Sequence, residues 1–389
     1  VKIDSGTDRR KRSRRFLFLE PFFGGSHREI AEGLSSASRH RIELMTMSAR
    51  FWRWRMSGAA LHFVRRLPDL SRYDGMMVSG LMSLADLKAL APVPPPPAAV
   101  YFHETQLTYP VSEGEKPDVA SAWTDVTTAL CADRVLFNSF AHRESFLEAL
   151  PGLVRLMPDY RPGWVVDAIR ERSTVVYPGC RFPRDPHGTV SGKRKPPLVV
   201  WNHRWEHDKA PEAFFRALDA LDDRGLDFRV AVLGERYRRA PAVFERALKR
   251  HGDRILRFGY VPSREAYLDW LRRGTVVVST ALQENFGLAV VEAVRSGCLP
   301  LLPDRLSYPE LIPAAYHSTC LYRDQGDLVD KLSEVVTAPD GFAAARRGLS
   351  ESMARFSWDR RIGEFDRVLD ELAPGKPSSF PRPGGTACS

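Results

Sequence analysis

Two carboxylates eight positions apart, Glu284 and Glu292, are the residues of this chain best placed by type and spacing to do chemistry. They stand in the stretch 275–303. Residues 275–279 form a short apolar, β-branched run that reads as a buried parallel strand. A polar loop over 281–286 carries Glu284. Gly287 allows a tight turn, and 288–296 reads as a helix with Glu292 in its second turn. Gly297 ends that helix, and 298–302 reads as the next strand. Open parallel sheets bind ligands at the C-terminal ends of such strands, where helix N-termini point. Carboxylates accept hydrogen bonds from hydroxyls in bidentate fashion. A helix start offers unpaired N–H groups to an anion such as a diphosphate. The set suits a nucleotide-sugar, with one carboxylate on the sugar hydroxyls, the other on the ribose diol and the diphosphate between them. For two glutamates alone, solvated helix-end charges would be the better reading. The surrounding pattern E-N-F-G-x-x-x-x-E-A-x-x-x-G-x-x-P is far more restrictive.

Other chemistry-bearing residues fall on strand ends of the same kind. A strand over 198–201 runs into Asn202, His203, Arg204 and on to Lys209. Arg204 offers a planar fork and Lys209 a point charge, a pair fit to converge on a diphosphate. A strand over 98–102 ends in His103, Glu104, Thr105 and Gln106. His103 is placed to orient a donor or assist the reacting hydroxyl, and Glu104 to do acid–base or orienting work. A lone histidine is more often structural, but a rim position favours function. Gly24 and Gly25 sit between the first strand (16–19) and a helix from about residue 28, followed by Ser26 and His27. A Gly-Gly turn lets backbone approach a ligand closely, although it is not the G-x-G-x-x-G fingerprint. The plain alternative is a strand–helix turn with Ser26 as N-cap. Residues 50–55 interleave arginines with Trp52 and Trp54, a mixture that stacks on bases and pairs with phosphates. It also fits a helix edge with arginines lying over a packed tryptophan; the expectation is a ligand-facing loop. A strand over 134–137 ends in Asn138 and Ser139, with Ser139 as the next N-cap. The loop 259–262 is a candidate clasp for a nucleobase.

Strands alternate with helices in both halves, which predicts an α/β protein of two doubly wound, Rossmann-like domains facing across a cleft. The expected divisions are a disordered basic tail (1–15), a first domain (16–180), a linker rich in Gly, Pro, Arg and Lys (181–197), a second domain (198–373) and a disordered tail (374–389). The last helix is expected over 359–372. The chain has 389 residues, 43% hydrophobic and 27% charged, an ordinary soluble composition. No apolar run has membrane-spanning length. The five cysteines are scattered without a Cys-x-x-Cys pair, which argues for a reducing cytoplasm and against a zinc site. The formal charge is +9. Seven basic and two acidic residues in the first fifteen supply five of those charges. A basic balance favours polyanionic partners such as RNA or an anionic membrane surface.

The Glu284–Glu292 stretch resembles the Glu-x7-Glu signature of retaining glycosyltransferases of the GT-B fold, the family-4-like group. The first half is more particular. The stretches 20–27 (EPFFGGSH), 101–110 (YFHETQLTYP), 132–139 (ADRVLFNS) and 158–162 (PDYRP) resemble those of tRNA-queuosine mannosyltransferases, and 201–209 (WNHRWEHDK) fits the same group. The similarity runs from about residue 16 to 372. It implies transfer of mannose from GDP-mannose to the cyclopentene diol of queuosine in a tRNA anticodon, tRNA-Asp being the expected one. Configuration would be retained, without metal or other cofactor. On this resemblance Arg204 and Lys209 bind the diphosphate and Glu284 holds the mannose hydroxyls, helped by backbone N–H groups of Asn285, Phe286 and Gly287. Glu292 holds the ribose. Gly24, Gly25 and His103 line the junction of donor and acceptor. The candidate acceptor contacts are Ser26, His27, Trp52, Trp54, Glu104, Gln106 and Asn138.

Two competing readings remain. One is a GT-B enzyme with another donor sugar, or with a lipid, polysaccharide or small-molecule acceptor. Arginines near 63–67 lack the long hydrophobic insertion face that membrane docking needs. The other is an RNA-binding protein with a dead transferase site, which has no need of the full Arg204, Lys209, Glu284 and Glu292 set.

Overall fold

A computed structural model describes residues 13–111, 114, 116–183, 196–235 and 241–372. Most of the basic tail, most of the 181–197 linker and the 374–389 tail lie outside the described residues. The strands are β1 (Arg15–Phe23), β2 (Arg41–Ser48), β3 (Gly75–Ser79), β4 (Ala98–Phe102), β5 (Arg134–Phe137) and β6 (Ser173–Val175), then β7 (Leu198–Asn202), β8 (Arg229–Leu233), β9 (Ile255–Gly259), β10 (Val276–Val278), β11 (Leu299–Pro303) and β12 (Leu321–Tyr322). They form two six-stranded sheets, ordered β2-β1-β3-β4-β5-β6 and β12-β11-β10-β7-β8-β9. Every paired neighbour is parallel.

The helices of the first half are α1 (Gly25–Ala37), α2 (Trp52–Val64), α3 (Leu84–Leu90), α4 (Val119–Cys131), α5 (Phe140–Arg155) and α6 (Val165–Arg170). Those that follow are α7 (Pro211–Asp223), α8 (Val243–His251), α9 (Arg264–Arg273), α10 (Leu288–Arg295), α11 (Tyr308–Leu311), α12 (His317–Cys320), α13 (Gln325–Thr337), α14 (Ala343–Met353) and α15 (Trp358–Leu372). Central strands covered by helices on both faces read as continuous apolar runs rather than alternations. All five residues of β3, β4, β7 and β11 are accordingly buried.

Each sheet reverses its winding once. In the first, the chain goes from β1 to β2 on one side and then to β3 on the other. In the second, β7, β8 and β9 run one way and β10 lies on the opposite side of β7. Ligands of doubly wound sheets bind at such switch points, outside the carboxyl ends of the strands. The loops after β1 and β4, and those after β7 and β10, carry most of the candidate residues.

Three elements differ from the sequence reading. Residues 52–55 are the first turn of α2, not a loop. Ser26 lies inside α1, whose N-cap position is Gly24; Ser139 does cap α5, accepting from the His142 N–H at 3.0 Å. The last helix, assigned by sequence to the second domain, crosses back. Trp358, Phe365, Val368, Leu369 and Leu372 of α15 pack in one cluster with Phe16, Ile30 and Leu34 of the first half. Helical periodicity says which face is apolar but not which sheet will cover it.

The halves also meet through Glu310 of α11. Its carboxylate accepts from the Phe140 and Ala141 N–H groups at 2.9 and 2.5 Å, at the start of α5, and from the Tyr177 hydroxyl at 2.7 Å. The carboxylate takes up donors that the helix cannot satisfy itself and faces the positive end of the helix dipole.

Candidate active site

The loops after β7 and β10 lock together. Lys209 is buried, and its ammonium donates to the Gln283 carbonyl at 2.6 Å and lies 3.3 Å from Glu284 Oε2 and 3.2 Å from Asp208 Oδ2. The ammonium thus has two hydrogen-bond acceptors, the Gln283 carbonyl and Glu284, and a second carboxylate charge beside it. Burial works against the Lys209 charge, but Glu284 and Asp208 outweigh it and hold the pKa above its ordinary value. Asp208, fully buried, was not anticipated from sequence; its backbone carbonyl also accepts the Leu282 N–H at 2.7 Å. Arg204 lies on the same rim, more exposed, with Nη2 3.2 Å from Glu206. His203 is buried, and burial, reinforced by Lys209, pushes its pKa down to about 3, so it is a neutral neighbour at working pH.

Gly287 has φ +95° and opens α10, as the tight turn requires. A Cβ there would stand 3.2 Å from Leu311 Cδ1 in a backbone conformation that L-residues avoid. Gly287→Ala should therefore cost about 1–3 kcal/mol of stability, read as a lowered thermal midpoint, and loosen the Glu284 loop. The Phe286 side chain is core, with rings of Tyr177 and Phe356 at 6.1 and 5.3 Å. Only its backbone remains for a donor. Glu292 is buried in α10 and accepts from Arg264 Nη2. Burial, opposed by Arg264, raises its pKa. Arg264 was not singled out in the sequence; it opens α9 and also donates to the Arg181 carbonyl at 3.2 Å. A diol reaching Glu292 has to share it with this guanidinium.

The first half contributes a cluster of two stacked histidines and a carboxylate. Glu20, inside β1 where the register with β2 shifts, is fully buried, and both its oxygens lie 3.1 Å from His27 Nδ1. Glu20 Oε1 also accepts the Phe22 N–H at 2.8 Å, and Ser79 Oγ from the end of β3 lies 3.3 Å from His27 Nδ1. The His27 and His103 rings stack, with centroids 3.7 Å apart and planes 24° apart. His103 Nε2 is 3.6 Å from Glu20 Oε2. Burial disfavours the His27 cation, but Glu20 reverses the balance and raises its pKa. Burial raises the Glu20 carboxyl less than His27 and His103 lower it, so it stays ionised. Burial and the His27 charge push His103 down to about 4, so it is a neutral imidazole. The donor atoms of Glu20, His27 and His103 fall within 4.8 Å of one another, a set that metal ions use. In this structure Glu20 and His27 form an ion pair with the neutral His103 ring laid on it.

Two asparagines then fix the His103 backbone. Asn138 Nδ2 donates to the His103 carbonyl at 2.9 Å, and Asn285 Nδ2, from the second half, donates to the same oxygen at 3.2 Å. The Asn138 oxygen faces His142 Nδ1 at 2.8 Å. Asn138, expected at the acceptor, is thus spent on orienting His103. The Gln106 N–H donates to the buried Asp125 at 2.5 Å, which ties down the loop that carries Glu104. Gly24 packs so closely on the loop after β2 that a Cβ would come within 2.4 Å of Ala49 Cβ. The structure therefore unites Glu284, Asn285, Gly287, Lys209 and Arg204 on one rim with His103 and His27 on the other. The His27 and His103 side chains are equally closed off, each 7% exposed. Ser26 is exposed at the start of α1, and Trp52 and Trp54 lie further out on α2.

Two Rossmann-like sheets with reactive side chains at facing switch points define a GT-B glycosyltransferase. The fold is shared with sucrose-phosphate synthase from Thermosynechococcus elongatus, TM-score 0.71 and 14% identical, covering 92% of this chain and 99% of that one. HepE of Anabaena, solved with UDP and glucose, gives a TM-score of 0.65 at 14% identity, covering 92% and 99%. Residues 187–351 match the family described as glycosyl transferases group 1. Residues 15–180 match tRNA-queuosine alpha-mannosyltransferase N-terminal. The tRNA-queuosine alpha-mannosyltransferase of Drosophila melanogaster is 34% identical over 354 residues, 88% of this chain and 92% of the fly protein. This chain belongs to the tRNA-queuosine alpha-mannosyltransferase family. Among the described residues no helix is long and apolar enough to cross a membrane.

Proposed function

We propose that this mannosyltransferase uses GDP-mannose as donor and queuosine in the anticodon of a tRNA as acceptor, joining the sugar to the cyclopentene diol with retention of configuration. The observation that carries this reading is the identity to the fly enzyme across both halves, including the half away from the donor rim. The local chemistry is consistent with it. Arg204 and Lys209, with the start of α10, are suited to charge developing on the departing GDP. Glu284 takes the mannose hydroxyls and Glu292 the ribose diol. The C1–phosphate bond breaks, a new C1–oxygen bond forms to the acceptor hydroxyl on the same face, and the departing phosphate takes the hydroxyl proton. With two cations and a helix terminus for the diphosphate, the step needs no metal.

The test uses purified protein, queuosine-containing tRNA and, separately, GDP-mannose, UDP-galactose and UDP-glucose, with EDTA present throughout. The tRNA is digested and its nucleosides weighed. A hexose on queuosine with GDP-mannose alone is the expected result. Addition from a UDP-sugar overturns the donor, and donor hydrolysis without addition to tRNA overturns the acceptor.

A further inference from the structure

The outer face of α2 is not used by the site described above, and its chemistry is unusual. Between Glu43 and Asp69 the chain carries arginines at 50, 53, 55, 65 and 66 and no carboxylate. The inner face of α2, Met56, Ala59, Ala60 and Phe63, is buried against the first sheet. The outer face presents Phe51, Trp54 and Leu61, which are 72%, 74% and 60% exposed. Residues 51, 54, 58, 61 and 65 share one side of the helix by their spacing. Arg50, Arg53, Arg65 and Arg66 are exposed around them, and the Arg53 guanidinium lies 5.1 Å from the Trp52 ring centroid.

Phe51 is also strained. Its φ is +56°, a left-handed conformation that a bulky non-glycine residue adopts at a cost. Most of its ring is bare to solvent, so burial does not repay that cost, and strained residues of this kind concentrate at ligand contacts. The face begins beside the catalytic cleft. Ser48, the last residue of β2, is in register with Phe23, and Ala49 is the residue against which Gly24 packs.

We propose that the outer face of α2 is a docking platform for a single-stranded segment of the acceptor RNA. Phe51 and Trp54 supply stacking surfaces for bases next to the cleft, and the arginines track the phosphates along the helix. This rests on the proposed tRNA acceptor and says which surface receives it. Charge and side-chain type select RNA over a membrane. The face holds one aliphatic residue among arginines, whereas interfacial helices insert a broad apolar face. Aromatic rings beside guanidinium groups suit bases and phosphates.

The test compares wild type with Phe51→Gly, Trp54→Ala and the double variant Arg50→Gln/Arg53→Gln. Binding of queuosine-containing tRNA is measured against salt concentration. Binding to vesicles of phosphatidylglycerol and phosphatidylcholine is measured in parallel. Phe51→Gly should weaken tRNA binding about 5- to 100-fold, the effect of losing one stacked base, while its thermal midpoint holds or rises because the left-handed strain is gone. Trp54→Ala should weaken tRNA binding by a similar factor. The arginine double variant should flatten the slope of log affinity against log salt by about two phosphate contacts. Wild-type affinity and slope in all three variants overturn the platform while leaving the acceptor reading intact. Loss of vesicle binding with tRNA binding unchanged makes the face a membrane surface instead. A wild-type protein that cleaves GDP-mannose but binds no tRNA overturns the acceptor reading and the platform with it.

Discussion

Glu284→Ala should lower the kcat/KM for sugar transfer by about 10³-fold or more, while tRNA affinity and thermal midpoint stay near wild type. The carboxylate stands at the start of the donor rim, on the loop that Asn285 pins to the His103 carbonyl. Removing it does not dismantle the rim. The Lys209 ammonium keeps Asp208 at 3.2 Å and the Gln283 carbonyl at 2.6 Å, so its charge stays in place for a diphosphate. Gly287, not the Glu284 side chain, sets the turn into α10. The variant therefore separates recognition of the sugar hydroxyls from the folding of the loop and from cationic stabilisation of the leaving group. Glu284→Gln should retain more activity than Ala, since its amide oxygen still accepts a hydroxyl proton but without charge. Turnover of Glu284→Ala equal to wild type, measured by mass of the modified nucleoside, would refute the assigned donor rim.

How far the sequence disclosed this arrangement depended on whether the signal was local. The loop after β10 is written in consecutive residues, a buried strand, a polar loop, Gly287 and an amphipathic helix, and the structure follows them closely. The βα alternation implied doubly wound domains, but the strand order that makes β7 and β10 neighbours comes from the structure. Residues whose meaning comes from another element were not legible. Glu292 has the spacing of a ligand residue, but its partner Arg264 is 28 positions upstream on a different helix. Glu310 caps a helix of the opposite half, 170 residues away from Phe140. The α2 segment misled for a different reason. Two of the four residues on its inner face, Ala59 and Ala60, are small and give a weak hydrophobic period, while the tryptophans and arginines dominate the composition. Asn138 sat at the right strand end, yet its amide is used for positioning His103, a distinction that only its partners reveal.

Glu20 is the clearest case, and its replacement should have a large effect at a position that need not touch substrate. A glutamate at the end of an apolar strand looks like a solvent-facing terminus. Here it is fully buried, paired with His27 and 3.6 Å from His103. His27, with a pKa raised above its ordinary 6.5, contributes stability that is complete below 6.5 and is lost as pH rises through the raised value. Glu20, depressed below its ordinary 4.5, contributes stability that is present above 4.5 and is lost as pH falls through the native value. The pair therefore supports the fold from 4.5 upward and past 6.5, and fails on the alkaline side when His27 deprotonates. Glu20→Gln should lower stability by about 1.5–3 kcal/mol near neutrality, and the difference from wild type should shrink at alkaline pH. It should also slow transfer by about 10²-fold, because the family resemblance places His103, the ring stacked on His27, at the junction of donor and acceptor, and a displacement of about 1 Å is enough for that loss. A structural role alone predicts the stability change without the kinetic one. A positioning role predicts that kcat falls with donor affinity nearly kept, and that the alkaline limb of the wild-type rate profile disappears in the variant. A rate profile for Glu20→Gln that superimposes on wild type would show that His103 does not depend on the ion pair beneath it.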